Sequence, residues 1–105
     1  PLYVNGGDTF IDKYLETYHT LDNILDGVNQ ETIFSKIDWE TETFSRNDEE
    51  EKSFFQDYVE TVSSYHKEIF LLEYTTDESL KNEIKQYCDS KQFRYYISST
   101  LELLA

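Results

Sequence analysis

Proline, glycine, cysteine and basic side chains are all scarce in this sequence. Its 105 residues include one Pro and three Gly, against nine Tyr, seven Phe and one Trp. The abundant aromatic and aliphatic residues exclude a disordered composition, because they suffice to build a core. The single cysteine, Cys88, excludes an internal disulfide and a metal cluster built on paired cysteines. The length corresponds to one domain at most.

Basic residues are the most informative shortage. Nine Lys and Arg stand against 22 Asp and Glu, which gives a formal net charge of −13. Nucleic acid and anionic membrane surfaces are therefore excluded as expected partners, because both require a basic face. A cationic ligand would instead be attracted by this field, although acidic residues also commonly do no more than solvate helix faces. No signal peptide or membrane span is recognisable, and an opening apolar run without Met indicates a piece of a longer protein.

Four apolar segments predict β-strands. They are Leu2–Asn5, Leu25–Gln30, Ile69–Tyr74 and Phe93–Ser98. The third is almost continuously apolar, as is typical of a strand that is buried on both faces of a parallel sheet.

Amphipathic segments between these strands predict three helices, and a short fourth helix is expected to begin at Thr100. Apolar residues recur at helical spacing in each of the three. Asn47 and Asp48 are good caps for the second helix, and the spacing of Thr75 and Glu78 suggests a capping box for the third. Their apolar stripes are Phe10, Ile11, Tyr14, Leu15 and Tyr18, then Phe54, Phe55, Tyr58, Val59 and Val62, then Leu80, Ile84, Tyr87 and Cys88.

The alternation of strands and helices predicts an α/β fold with parallel strands and outer helices. An open four-stranded sheet and a (β/α)₄ half of a TIM barrel both fit this order. No glycine-rich phosphate-binding motif follows any strand, so a nucleotide-binding sheet is unsupported. A flavodoxin-like response domain is disfavoured, because no Lys ends a later strand.

The longest predicted connection runs from Thr32 to Asn47 and carries the only tryptophan, Trp39. Long ordered loops in compact domains are often functional, and in barrels the loops that follow the strands build the active site. Trp39 is therefore a candidate for stacking on a sugar, with a cover for the core as the alternative.

Carboxylates near strand ends are the candidates for chemistry. Glu31 follows the second predicted strand directly, and Glu73 lies near the end of the third. Two carboxylates at one face are what glycoside hydrolysis requires, one as proton donor and the other as nucleophile or base. The alternative is that each caps a helix or forms an ion pair. His19, His66 and Cys88 have no suitable companions, so no metal site and no cofactor are expected.

Several segments resemble glycoside hydrolase family 114, which includes the endo-α-1,4-polygalactosaminidases. Residues 25–34 (LDGVNQETIF) resemble the family's "DGV…(Q)ES-L-F" segment. Residues 2–7 (LYVNGG) resemble its "I-x-N-G" strand, 69–74 (IFLLEY) its "V-L-x-x-D-Y" strand, and 93–98 (FRYYIS) its "G-F-x-P-Y-V" strand. The closing 100–102 (TLE) resembles its "x-L-D" turn.

The resemblance implies that residues 1–105 are a single unit, the C-terminal half of a (β/α)₈ barrel with strands five to eight. It implies that Glu31 is a catalytic carboxylate and that Asn5, Trp39, Glu73 and Tyr74 contribute to substrate binding. The second catalytic carboxylate, an Asp after strand four in the family, has no counterpart here. The implied substrate is a galactosamine-containing polysaccharide, and the implied location is secreted or at the cell surface.

Two functional hypotheses follow. The chain is part of a glycoside hydrolase and inactive alone, or it is a non-catalytic half-barrel that binds carbohydrate or serves assembly. In both, four parallel strands cannot close a barrel, so apolar residues are expected to be exposed on one sheet face. We expect that face to pair with the missing N-terminal half-barrel or with a second copy. The inward-facing residues are expected among Tyr3, Val28, Leu72, Tyr74, Tyr95 and Ile97.

Overall fold

This computed structural model describes residues 2–22 and 24–101, which form six strands and three helices. The predicted helix from Thr100 continues beyond Leu101 and so lies largely outside the described residues. In chain order the elements are β1 (Tyr3–Asn5), α1 (Asp8–Tyr18), β2 (Gly27–Glu31), β3 (Ser35–Asp38), β4 (Thr43–Arg46), α2 (Glu49–Ser64), β5 (Glu68–Tyr74), α3 (Glu78–Lys91) and β6 (Arg94–Ser98).

The principal sheet contains the four predicted strands in the order β1-β2-β5-β6, and every neighbouring pair is parallel. This confirms the α/β fold class and the sequential parallel order. Apolar side chains of all three helices, such as Ile11, Val59 and Ile84, join one buried cluster with Val28 and Leu71 of the sheet. The helices therefore cover a single face of the sheet.

Local chemistry explains where two of the helices begin. Asp48 caps α2, and its side chain accepts a hydrogen bond from the backbone N–H of Glu51 at 2.8 Å. The predicted capping box at the start of α3 is wrong, because the capping residue is Asp77. Thr75 is still held in the sheet, since its N–H donates to the carbonyl of Ser98 at 3.0 Å. The helix consequently begins beyond it.

The two faces of the sheet differ from the expected assignment. Glu73 pairs with Ile97, and Leu72 pairs with Tyr96, so these two rows point to opposite faces. Tyr3, Leu72 and Tyr74 lie on the face opposite the helices, which we call the open face, as predicted. The assignment was wrong for Val28, Tyr95 and Ile97, which pack in or against the helix-side core. A shift of one residue reverses the face in a strand, and the apolar residues occupy both faces of β5 and β6.

An antiparallel hairpin, which the sequence did not predict, occupies the long connection after β2. Strands β3 and β4 pair Ile37 with Phe44 and form a separate two-stranded sheet. The Asp38 carboxylate accepts from the N–H groups of Glu40 and Thr41 at 3.0 and 3.3 Å and so orders the turn. Most hairpin residues are exposed, which explains why no hydrophobic alternation marked these strands.

Candidate functional site

A cavity of about 220 Å³ opens at the edge of the sheet where the strands end, between the hairpin and the first turn of α2. Parallel α/β folds characteristically bind ligands at this edge. Its chemically distinctive lining consists of two carboxylates, one ammonium, one amide and two aromatic rings. These belong to Glu31, Glu51, Lys36, Asn47, Trp39 and Tyr74.

Glu31 is the last residue of β2, and its side chain is exposed. It therefore lies at the end of the strand, as the sequence predicted. The residue that follows, Thr32, has a φ of 52°, which is unusual for a β-branched side chain. The N–H of Thr32 donates to the carbonyl of Leu72 at 2.9 Å, so the sheet holds this conformation. Backbone strain of this kind tends to occur at functional sites, and here it lies beside the candidate carboxylate.

Three of the five predicted site residues line this cavity together: Glu31, Trp39 and Tyr74. Trp39 lies just beyond β3 and is 63% exposed, so its ring is available for stacking. Asn5 ends β1 on the open face and does not line the cavity. Its side-chain oxygen accepts from the amide of Asn29 at 3.2 Å, which joins the two strand ends.

Glu73 is 0% exposed and faces the helix side of the sheet. Its carboxylate accepts from the backbone N–H groups of Ile33, Phe34 and Ser35 at 2.9, 3.0 and 3.0 Å. The hydroxyl of Ser35 donates to it as well, at 2.8 Å. Glu73 therefore fixes the backbone between β2 and β3 from the helix side of the sheet. Direct binding of substrate by its side chain stays a prediction.

Burial dominates the electrostatics of Glu73. No described Lys, Arg or His side chain forms an ion pair with it. Burial raises the pKa of the carboxyl to about 7, because desolvation penalises the charged form, and the hydrogen bonds from Ser35, Ile33 and Phe34 offset only part of that effect.

Tyr74, the last residue of β5, is 0% exposed. Its ring contacts Phe44 of the hairpin with a centroid separation of 6.0 Å, and its N–H donates to the hydroxyl of Ser35 at 3.1 Å. Burial raises the pKa of the phenol, and the nearby charge of Glu31 adds to the shift. Within the described residues the Tyr74 hydroxyl has no hydrogen-bond partner.

Six of the nine residues that line the cavity were not predicted from the sequence, and Lys36, Asn47 and Glu51 are the charged and amide side chains among them. Asn47 closes the base of the hairpin, since its side-chain amide donates to the carbonyl of Ile33 at 3.0 Å. The sequence predicted Asn47 only as a helix cap. Its place in the cavity depends on the hairpin, which was not predicted. Lys36 belongs to that hairpin, and Glu51 to the acidic first turn of α2.

The remaining candidates for chemistry do not gather into a second site. The described part of the chain contains no cluster of three or more His, Cys, Asp or Glu side chains able to hold a metal ion. Cys88 is buried, and burial raises the pKa of its thiol to about 12, which makes the thiolate inaccessible at neutral pH. Among residues 2–22 and 24–101, no helix is long and apolar enough to cross a membrane.

Comparison with solved structures identifies the fold. The chain is similar to the glycoside hydrolase domain of PelA from Pseudomonas aeruginosa, with a TM-score of 0.66 and 13% identity. A variant of that domain gives a TM-score of 0.66 and 12% identity. Both matches cover 92% of this chain and 36% of the other. Since that domain is a TIM barrel, the fold of this chain is part of such a barrel, with four parallel strands and three helices among the described residues.

The likeness is one of fold. No protein-family model matches the chain, and no curated protein is significantly similar to it. The chain spans little more than a third of the length of the solved domains that it matches.

Proposed function

We propose that this chain is the C-terminal half of a glycoside hydrolase barrel, strands five to eight, and that Glu31 is one of its catalytic carboxylates. The observation that carries the proposal is the position of Glu31 at the end of β2, in one cavity with Trp39 and Tyr74. The similarity to the glycoside hydrolase domain of PelA supports this fold context, and the segment around Glu31 supports a relationship to family 114.

The proposed substrate is a galactosamine-containing polysaccharide. The net charge of −13 favours a polymer with free amines by long-range attraction. At the cavity two carboxylates, Glu31 and Glu51, face one ammonium group, that of Lys36. Trp39 offers a flat apolar surface on which a sugar ring can stack. A polysaccharide substrate implies a secreted or cell-surface location, which we propose on the same basis.

In this proposal Glu31 acts as proton donor, base or nucleophile at the glycosidic bond, and a second carboxylate completes the pair. The family resemblance assigns the second group to a strand that precedes this chain. The 105 residues alone are therefore expected to bind the sugar weakly and to leave the bond uncleaved, whereas the intact protein hydrolyses it.

The experiment is Glu31→Gln in the intact protein, with hydrolysis of a galactosamine oligosaccharide as the readout. Gln keeps the shape of the side chain but serves neither as an acid nor as a nucleophile, so we expect kcat to fall by at least about a hundredfold with an unchanged Tm. Glu50→Gln is the matched control, since Glu50 is exposed beside the site in α2 but does not line the cavity. Full activity of Glu31→Gln would exclude the catalytic role.

An observation on the open face favours a second function, that of a non-catalytic carbohydrate-binding or assembly module. Tyr3 and Tyr96 are exposed there, and none of the described helices covers them. Apolar rings on an uncovered sheet face favour association with the missing half-barrel or with a second copy of the chain. Unlike the first proposal, this one requires no catalysis from Glu31 in any context.

A further inference from the structure

The Tyr74 hydroxyl lies beside the cavity without a hydrogen-bond partner among the described residues. Buried hydroxyl groups nearly always have a partner, because the loss of their hydrogen bonds to water would otherwise lower stability. Tyr58 and Tyr87 illustrate the rule in this chain, since they donate to the Gly6 carbonyl and the Glu60 carboxylate, each at 2.6 Å. Among the described residues, the buried hydroxyl of Tyr74 has no partner, and neither has the buried side-chain oxygen of Gln30. Of these two residues, Tyr74 is the one that borders the cavity.

The position of the Tyr74 ring is fixed by its neighbours. Phe44 packs against it from the hairpin, and the backbone of Tyr74 is tied to Ser35 and paired with Ser98. Glu31 pairs with Leu72, so Tyr74 lies one row farther along the same sheet face, diagonal to Glu31. Because Tyr74 is 0% exposed in the free chain, a group bound in the cavity meets the phenol and the carboxylate together only after a small shift of the hairpin residues that cover the ring.

We propose that Tyr74 is a ligand-positioning residue whose hydroxyl donates a hydrogen bond to a sugar hydroxyl, which in turn donates to the carboxylate of Glu31. A sugar hydroxyl suits this place because it accepts one hydrogen bond and donates another. An ammonium group has no lone pair and would leave the Tyr74 hydrogen without an acceptor. The cavity thus favours a sugar unit that carries a hydroxyl, rather than an amine, at the position next to Tyr74. The other positions of the polymer can still carry amines.

The inference rests on the proposed carbohydrate ligand but not on catalysis, so the test measures binding and stability. The variant is Tyr74→Phe in the intact protein, and Tyr18→Phe, at an exposed position on α1 away from the cavity, is the control. The probe is a galactosamine tetrasaccharide, titrated by calorimetry. We expect Tyr74→Phe to raise its Kd about five- to tenfold, the usual effect of one neutral hydrogen bond, and Tyr18→Phe to leave the Kd unchanged.

The melting temperature separates this role from a structural one. Because the hydroxyl has no partner among the described residues, Tyr74→Phe should melt no lower than the wild type. A clear fall in Tm would mean that the hydroxyl serves the fold and would overturn the proposal. An unchanged Kd would also overturn it, as would failure of the wild type to bind the tetrasaccharide.

The two proposals can fail separately. If Glu31→Gln retains full hydrolysis while Tyr74→Phe weakens binding selectively, catalysis by Glu31 is excluded and the Tyr74 contact stands. If Glu31→Gln abolishes hydrolysis while Tyr74→Phe binds normally, the Tyr74 contact alone is excluded.

Discussion

The carboxylate of Glu73 is hydrogen-bonded to both the backbone N–H and the hydroxyl of Ser35, at 3.0 and 2.8 Å, although 38 residues separate the two in sequence. The same hydroxyl accepts from the N–H of Tyr74 at 3.1 Å. One buried polar network thus joins the end of β5 to the start of the hairpin. The cavity that contains Glu31 is built on this connection.

We predict that Glu73→Gln destabilises the fold by about 2–3 kcal/mol at pH 5. With a folded pKa of about 7, the Glu73 carboxyl is protonated at this pH, and both of its oxygens can still accept hydrogen bonds. The amide offers one acceptor oxygen to a site in which three N–H groups and a hydroxyl all donate, and its NH₂ would face other donors. Urea denaturation of the two proteins measures the difference. Glu16→Gln is the control, because Glu16 is exposed on α1 and should change stability by less than about 0.5 kcal/mol. Equal stability of Glu73→Gln and the wild type would mean that the network contributes little.

The penalty of Glu73→Gln should shrink as the pH rises. Burial raises the pKa of Glu73 from 4.5 to about 7, so the folded chain retains a proton that the unfolded chain releases. The stabilisation is present below the unfolded value and is lost as the pH rises through the folded value, in total about 3 kcal/mol. The Gln variant lacks this group. Urea titrations of both proteins between pH 4.5 and 8 should therefore converge, and curves that stay parallel would contradict the raised pKa.

Gly27→Ala should destabilise the chain by about 2 kcal/mol or more. An added Cβ would lie 2.5 Å from the Tyr3 ring and 2.6 Å from the backbone oxygen of Glu68. The ring can move, but the strand that carries the oxygen cannot. The double variant Gly27→Ala with Tyr3→Ala distinguishes the two contacts, because it removes the clash with the Tyr3 ring and keeps the clash with the Glu68 oxygen. We expect it to remain destabilised beyond Tyr3→Ala alone in thermal denaturation, and full recovery would assign the whole clash to the ring.

The sequence revealed the parallel sheet because its strands are strongly apolar. Ile69–Tyr74 predicted β5 to within one residue, Glu68–Tyr74, and Glu31 ended β2 as expected. The face of each side chain was harder to predict, because Tyr95 and Tyr96 both suit a core and only pairing shows which one meets the helices. The hairpin escaped notice because its exposed strands carry little apolar pattern.

The role of Glu73 depends on that missed hairpin. In the sequence, a Glu one residue from a strand end resembles an active-site carboxylate. The N–H groups that donate to it belong to Ile33, Phe34 and Ser35. These residues lie in the turn that connects β2 to the hairpin, so their position depends on the hairpin. Cavity residues contributed by the hairpin, such as Lys36, could not be predicted for the same reason.

The last prediction concerns association of the 105-residue chain. Its open face carries Tyr96, 52% exposed, next to Leu72, and within the described part of the chain the four parallel strands leave two edges without partners. We predict that the chain self-associates, most simply as a twofold dimer through the open face. The net charge of −13 opposes contact, but salt screens this long-range repulsion far more than it weakens a buried apolar contact.

Sedimentation at 0.15 M salt should therefore give a mass that rises with concentration. Tyr96→Glu should restore the monomer, whereas Phe10→Glu, at a 60% exposed position on α1, should leave association unchanged. A wild-type monomer throughout the concentration series would show that the open face is stable without a partner.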